Sequence, residues 1–278
     1  MKKILQFGFI FALILVLAAC GQGQGGDNEG AGNENGEEVQ ELTVGATLVP
    51  HAEILEFVKP MLEEEGIALD IVEFTDYTTP NQTLDAGEID ANFFQHIPYL
   101  KAENEAAGYN LVDVVGVHIE PMGAYSAHYD SIEELPQGAT ILHPMAVSEE
   151  GRFLALLESE GLITLEEGVG FNGTVDDIVD NPKELEFTGV EAATLPALYQ
   201  DGDLAIINTN YALEAGLSPA EDALILESPD DNPFVNVVAT IEGQEDDPRI
   251  QALVEAITSE EVRQFIEENY EGNVIPAF

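Results

Sequence analysis

Residues 42–74 read LTVGATLVPHAEILEFVKPMLEEEGIALDIVEF, and this stretch decides the fold class. Leu42–Thr47 is a short apolar run of strand character. Pro50 suits the first residue of a helix, where its fixed φ fits and its missing N–H is not needed. From Pro50 to Glu65, the residues Ile54, Leu55, Val58, Met61 and Leu62 fall on one helical face. Gly66 ends that helix and Ala68–Phe74 supplies the next strand. The three pieces form a βαβ unit, which requires parallel strands and a right-handed crossover. Outward from it the alternation continues: a helix at Thr79–Ala86, strand Ile89–Phe93, helix Pro98–Ala107 and strand Leu111–Val117. A second series starts near His118. It has an extended segment at Ile119–Ser126, strand Ala139–Leu142, helix Ser148–Glu160, and strands Leu185–Thr188, Leu204–Asn208 and Ala223–Glu227. Helices near Ala193–Tyr199 and Tyr211–Ala215 separate those strands. Strand Val235–Ile241 and helices Pro248–Thr258 and Ser259–Tyr270 close the chain. No 20–50-residue repeat is present, which argues against a solenoid, and the spacing is too irregular for an eight-fold barrel. The expected fold is α/β with two lobes, 42–118 plus 238–278 and 119–237, and a ligand cleft between them.

The N-terminus supplies an address. Lys2 and Lys3 precede an apolar run from Ile4 to Leu17. That run is shorter than the roughly 20 residues a membrane span needs and fits the apolar part of an export signal. Leu17-Ala18-Ala19-Cys20 resembles the bacterial lipobox, in which the signal is cut before the cysteine and the sulfur receives a diacylglycerol. Residues 1–19 are therefore expected to be a signal peptide and Cys20 the site of lipidation. Residues 20–41, rich in Gly, Asn and acids, are expected to form a tether unable to bury enough surface to order itself. The expected location is the extracytoplasmic face of the cell membrane.

Composition removes several function classes. The chain has 54 acidic and 8 basic residues, a net charge of −46. Cutting off residues 1–19 takes away two lysines and no acid, so the mature charge is 6 − 54 = −48. Nucleic acid and a basic membrane-binding patch are excluded, since both need clustered Lys and Arg. A single cysteine permits neither an internal disulfide nor a Cys-based zinc cluster. The acids are spread through every segment, a density tolerable where salt screens repulsion, so a salt-loving source and an acidic surface are expected.

Ligands of open α/β sheets bind beyond the carboxyl ends of the strands. Tyr77 follows strand Ala68–Phe74, and Phe94, His96 and Tyr99 follow Ile89–Phe93. His118 ends Leu111–Val117, and Asn208 and Asn210 end Leu204–Asn208. Arg152, one of three arginines, opens a helix after Gly151, where a backbone can approach a ligand closely. A guanidinium can grip a carboxylate with two parallel bonds, although a structural ion pair with one of the many acids is the competing reading. Tyr77, Phe94 and Tyr99 offer flat walls suited to a thioether side chain, and plain core packing accounts for them equally well. No nucleophile-elbow, zincin, phosphate-loop or dinucleotide motif occurs, so the chain reads as a non-enzyme without cofactor. The five histidines, His51, His96, His118, His128 and His143, match no metal-ligand spacing, and no metal site is assigned.

Several strings carry a resemblance: VGATLVPHAEIL (44–55), EFTDY (73–77), DANFFQHIPYL (90–100), VHIEPMG (117–123), INTNYALEAGL (207–217) and VIPAF (274–278). They are similar to the NlpA/MetQ family, lipoproteins that deliver methionine to an ABC importer, and the likeness runs over 42–278. It implies a two-lobed periplasmic-binding-protein fold, type II-like, that closes over one ligand. In that family the methionine side chain lies in an aromatic pocket, which Tyr77, Phe94, His96 and Tyr99 match. The arginine holding the ligand carboxylate corresponds to Arg152. Asparagines binding the polar groups correspond to Asn210 and Asn236, and His118 matches a position near the cleft. The implied function is capture of methionine, the L form and by extension the D form, by a monomer that hands it to a membrane permease and its ATPase. This chain departs from the pattern at Met145–Glu149, where family members commonly carry Asn-Asp-Pro-Thr-Asn. Glu149 thus stands where an asparagine is usual, and it either pairs with the ligand ammonium or neutralises Arg152. A Met-containing dipeptide, another apolar amino acid, or a metal-binding surface lipoprotein using His96, His118 and a carboxylate are the alternatives.

Overall fold

The computed structural model describes residues 39–278. The expected signal peptide, Cys20 and most of the tether lie outside the described residues. Strand β1 (Gln40–Thr47) pairs in parallel with β2 (Ile67–Phe74), from Gln40 opposite Ile67 to Thr47 opposite Phe74, across helix α1 (Glu53–Glu64). Gln40 and Glu41 therefore belong to a strand and not to the tether, because β2 offers them a partner. The helix begins at Glu53 instead of Pro50. Residues 48–52 form a separate turn in which Val49 is extended, with φ −118° and ψ 133°. Helix α2 (Thr79–Asp85), β3 (Ala91–His96), α3 (Ile97–Ala107) and β4 (Leu111–Ile119) follow.

The chain then builds a second sheet. Strands β5 (Gly123–Tyr125) and β6 (Thr140–Pro144) precede helix α4 (Val147–Ser159). A small antiparallel pair, β7 (Thr164–Leu165) with β8 (Ile178–Asp180), leads to β9 (Glu186–Val190). Helix α5 (Leu195–Leu198), β10 (Leu204–Ile207), α6 (Thr209–Glu214), α7 (Pro219–Asp222) and β11 (Ile225–Leu226) complete it. The order is β11-β5-β10-β6-β9.

Strand β12 (Val235–Ile241) returns to the first sheet and lies antiparallel between β3 and β4. Helices α8 (Pro248–Ile257) and α9 (Glu260–Tyr270) and strand β13 (Ile275–Pro276) finish the chain, giving the order β13-β4-β12-β3-β1-β2. Val235–Val237, placed in the second lobe by the sequence pattern, pair here with β3 and β4 of the first sheet.

Each sheet has its own apolar core. Leu42, Val44 and Ala46 of β1 pack with Ile54, Leu55, Val58 and Leu62 of α1 and with Leu253, Ile257 and Ile266. Ile141, Leu204 and Ile206 pack under Phe153, Leu154 and Leu157 of α4. A Cβ on Gly151 would lie 2.1 Å from the carbonyl oxygen of Phe171. The close approach expected at Gly151 is thus made by the 170–172 turn and not by a ligand. The glycine lets α4 seat against that turn, which fixes the roll of the helix and so the direction of Arg152.

Candidate functional site

A narrow cleft opens between elements of the two sheets, at the strand ends. Tyr77, Phe94, His96 and Tyr99 line one wall, while Glu149, Arg152, Asn208 and Thr209 line the other, with Gln95, Glu120 and Asn236 at the base. Seven of the expected site residues are therefore together: Tyr77, Phe94, His96, Tyr99, Glu149, Arg152 and Asn236. His118 and Asn210 do not line the cleft. His118 sits behind Glu120, and Asn210 accepts a hydrogen bond from the Tyr77 hydroxyl at 2.5 Å.

The aromatic wall comes from the first lobe, with Tyr77 after β2, Phe94 on β3 and Tyr99 on α3. Ring centroids of Tyr77 and Phe94, Tyr77 and Tyr99, and Phe94 and Tyr99 lie 5.8–6.0 Å apart, within the range of tilted and edge-to-face aromatic contact. Tyr211 from the second sheet adds a ring 4.9 Å from Tyr77. Tyr99 is held by donating to the Tyr77 carbonyl at 3.0 Å. Burial lifts the Tyr77 and Tyr99 hydroxyls far above the usual phenol range, so both remain neutral donors.

His96 is oriented by helix capping. It is the N-cap of α3, and its Nδ1 accepts from the Tyr99 amide at 3.1 Å. An accepting Nδ1 carries no proton, so the proton lies on Nε2, which donates to Glu149 Oε1 at 2.6 Å. Glu149 is buried, which alone would raise its carboxyl. His96, Arg152 and the Asn208 side-chain amide more than offset that and hold it down to about 2.

Arg152 makes the sharpest correction to the sequence reading. Its Nε and Nη2 both donate to Glu227, at 2.9 and 2.7 Å, and Nη2 also donates to the Glu120 carbonyl at 2.8 Å. The guanidinium lies over the Phe234 ring, 4.2 Å from its centroid. The two-bond fork is thus spent on Glu227. Only Nη1 remains without a hydrogen bond, and it lies 3.6 Å from Glu149 Oε2. Burial would lower the arginine, but Glu227, Glu149 and Glu120 raise it, so it is fully charged. Glu227 gave no signal in the sequence, where it is one acid among 54; only its spatial position on Arg152 marks it.

Beneath the cleft, Glu120 Oε1 meets two imidazoles, His118 Nε2 at 2.8 Å and His51 Nε2 at 3.2 Å. His51 Nε2 also lies 3.1 Å from Asn236 Oδ1, while its Nδ1 is 2.8 Å from the Thr47 hydroxyl. Facing two acceptors, Nε2 carries the proton and the Thr47 hydroxyl donates to Nδ1. Burial depresses His51 to about 4 despite the pull of Glu120, so it is neutral near pH 7. Ligand atoms of His51, His118 and Glu120 lie within 4.8 Å of one another and form the one group among the described residues with metal-binding proximity. His96, paired to Glu149, is not part of it.

With His51 neutral, the buried groups at the cleft's polar end include the acids Glu120, Glu149 and Glu227 alongside one guanidinium. That balance suits a ligand bringing a cation. Asn208 lines the cleft, and its Oδ1, buried and without a partner among the described residues, is an acceptor available to such a group.

The comparisons agree with this architecture. The family model described as NlpA lipoprotein matches residues 42–278. The chain is 43% identical over 280 residues to the methionine-binding lipoprotein MetQ of Bacillus subtilis, covering 99% of both chains. It is 36% identical over 278 residues to the D-methionine-binding lipoprotein MetQ of Salmonella typhimurium, covering 98% of both. The structure of a nutrient binding protein from Burkholderia cenocepacia bound to methionine superposes with a TM-score of 0.81 at 40% identity, covering 85% of this chain and 100% of that one. The two-lobed, cleft-bearing α/β fold and the match over both lobes establish that this chain belongs to the NlpA lipoprotein family.

Proposed function

We propose that this protein is the extracytoplasmic receptor of an ABC importer, anchored through a lipid on Cys20, that captures methionine and presents it to a membrane permease and its ATPase. The observation that carries the reading is the juxtaposition, in one cleft, of three aromatic rings with a buried polar end holding Arg152, Glu149 and Asn208. The rings sheath the thioether, to which sulfur–aromatic contacts contribute roughly 0.3–1.5 kcal/mol each. The ligand ammonium lies toward Glu149 Oε2 and Asn208 Oδ1. The carboxylate takes Arg152 Nη1 end-on, since the other guanidinium donors are engaged, and Asn236 borders the same space. No bond is made or broken. The chain passes between the sheets just after β4, at 120–122, and again between β11 and β12, at 227–234, and these two crossings are where the lobes close on the ligand.

No helix among the described residues is long and apolar enough to cross a membrane. Calorimetry on the full chain with L-methionine, D-methionine, a Met-containing dipeptide, leucine and zinc tests the reading. Saturable binding of methionine, with leucine weaker, is expected. A protein that ignores both methionine enantiomers while binding the dipeptide or zinc refutes it.

A further inference from the structure

We infer that Glu120 is a positioning residue for ligand capture, a latch that joins the two sheets where the chain first crosses between them. The inference rests on the methionine-receptor reading for its binding test and not for its exchange test.

Glu120 directly follows β4, whose last residue is Ile119. Both its carboxylate oxygens are engaged, and they reach opposite lobes. Oε1 is held by His118 on β4 and by His51 after β1, both from the first sheet. Oε2 accepts the main-chain amide of Asn210 at 3.0 Å, at the start of α6 from the second sheet. The Glu120 carbonyl oxygen accepts Arg152 Nη2 from α4, also of the second sheet. The next carbonyl, of Pro121, accepts the Thr209 hydroxyl. Two residues of crossing chain thus fix the segment 209–210 and one donor of Arg152. Through Asn210 the same latch reaches Tyr77, which belongs to the aromatic wall.

The chemistry demands an ionised carboxylate. Burial would raise the Glu120 carboxyl, but the surrounding donors and Arg152 lower it, so it accepts on both oxygens. Every partner of those oxygens is an N–H. A glutamine has one accepting and one donating end, so its NH₂ meets either the Asn210 amide or the His51 N–H, and His118 can accept it only by moving its proton to the buried Nδ1, which has no partner. Glu120→Gln therefore keeps shape and volume and opens the latch on one side.

Two measurements on the full chain test this. In hydrogen exchange without ligand, Glu120→Gln should speed exchange of the Asn210 amide at least tenfold while β1 amides keep their protection. In stopped flow, followed by tyrosine fluorescence because the chain has 8 Tyr and no Trp, the same variant should release methionine at least tenfold faster, with association changed less than threefold. A general packing defect would lower the active fraction instead of splitting the two rates. Should Glu120→Gln not fold, His118→Leu and His118→Gln serve. The amide can still donate to Glu120 and leucine cannot, so exchange at Asn210 should be at least fivefold faster with leucine. Unchanged exchange at Asn210 in Glu120→Gln, equal exchange in the His118 pair, or a dissociation rate within twofold of native overturns the inference. If the native chain binds no methionine, the receptor reading fails, and the exchange result alone still decides the latch.

Discussion

Arg152→Met removes the one Lys or Arg side chain that is buried among the described residues. Methionine fills much of the same volume, so the effect is electrostatic before it is steric. Two bonds to Glu227, at 2.9 and 2.7 Å, disappear, and Glu227 is left with only the Met122 amide at 3.0 Å. Removing one member of a buried pair destabilises by about 3–5 kcal/mol, because the other charge stays buried without its partner. Glu149, held down first by His96 and in part by Arg152, adds a pH-dependent readout. Its fall from 4.5 to about 2 in the folded chain corresponds to about 3 kcal/mol of stability, present above pH 4.5 and lost as pH drops toward 2. In the variant, Glu149 no longer lies beside a guanidinium, so burial is less opposed and the carboxyl takes up a proton at higher pH than in the native chain. Proton uptake favours the folded variant at low pH, while the native chain loses its own Glu149 contribution over the same range. The gap between the two should therefore be about 3–5 kcal/mol at pH 7.5 and smaller by about 1–2 kcal/mol at pH 4. Equilibrium urea unfolding followed by circular dichroism at both pH values measures it. A gap under 1 kcal/mol at pH 7.5, or one that widens on acidification, refutes the assignment of Arg152 to a charge-compensating role in the buried site.

Glu149→Gln should weaken methionine binding about ten- to a hundred-fold, the range for a lost charged hydrogen bond, and should narrow the preference for methionine over N-acetylmethionine in parallel titrations. An unchanged preference would place the ammonium elsewhere. Gly151→Ala should lower stability by about 1–3 kcal/mol, since the new methyl meets the Phe171 carbonyl and α4 must shift; an unaltered melting temperature would show that the 170–172 turn yields freely. Melting in 2 M against 0.1 M NaCl should reveal a higher midpoint in the concentrated salt, as screening relieves repulsion among 54 acids. Equal or lower stability there would remove the argument from charge density to a saline habitat.

The fold was largely legible along the chain because its elements are amphipathic at the correct period. Ile54, Leu55, Val58 and Leu62 lie on the buried face that their spacing indicates, and Phe153, Leu154 and Leu157 do the same for α4. Turn chemistry was less readable. The β7–β8 pair is too short to leave a periodic signal, and the irregular turn at 48–52 displaced the start of α1 by three residues. At the site, residues identifiable by type stood out, namely Tyr77 after β2, Phe94 and His96 at the end of β3, Tyr99 on α3, and a rare arginine. Residues identifiable only by neighbourhood did not. Thr209 and Gln95 are ordinary in sequence, and Glu227 is camouflaged by an acidic composition.

Hydrophobic periodicity and turn punctuation act locally, so the residues themselves determined an α/β chain and the strand ends where a ligand would bind. Pairing between buried charges depends on distance in space across some 75 residues of sequence, as between Arg152 and Glu227. Only the tertiary structure could decide that this guanidinium's fork closes on a glutamate and leaves a single nitrogen unengaged. The same holds for Glu120, whose two oxygens acquire partners from separate sheets only once both have formed.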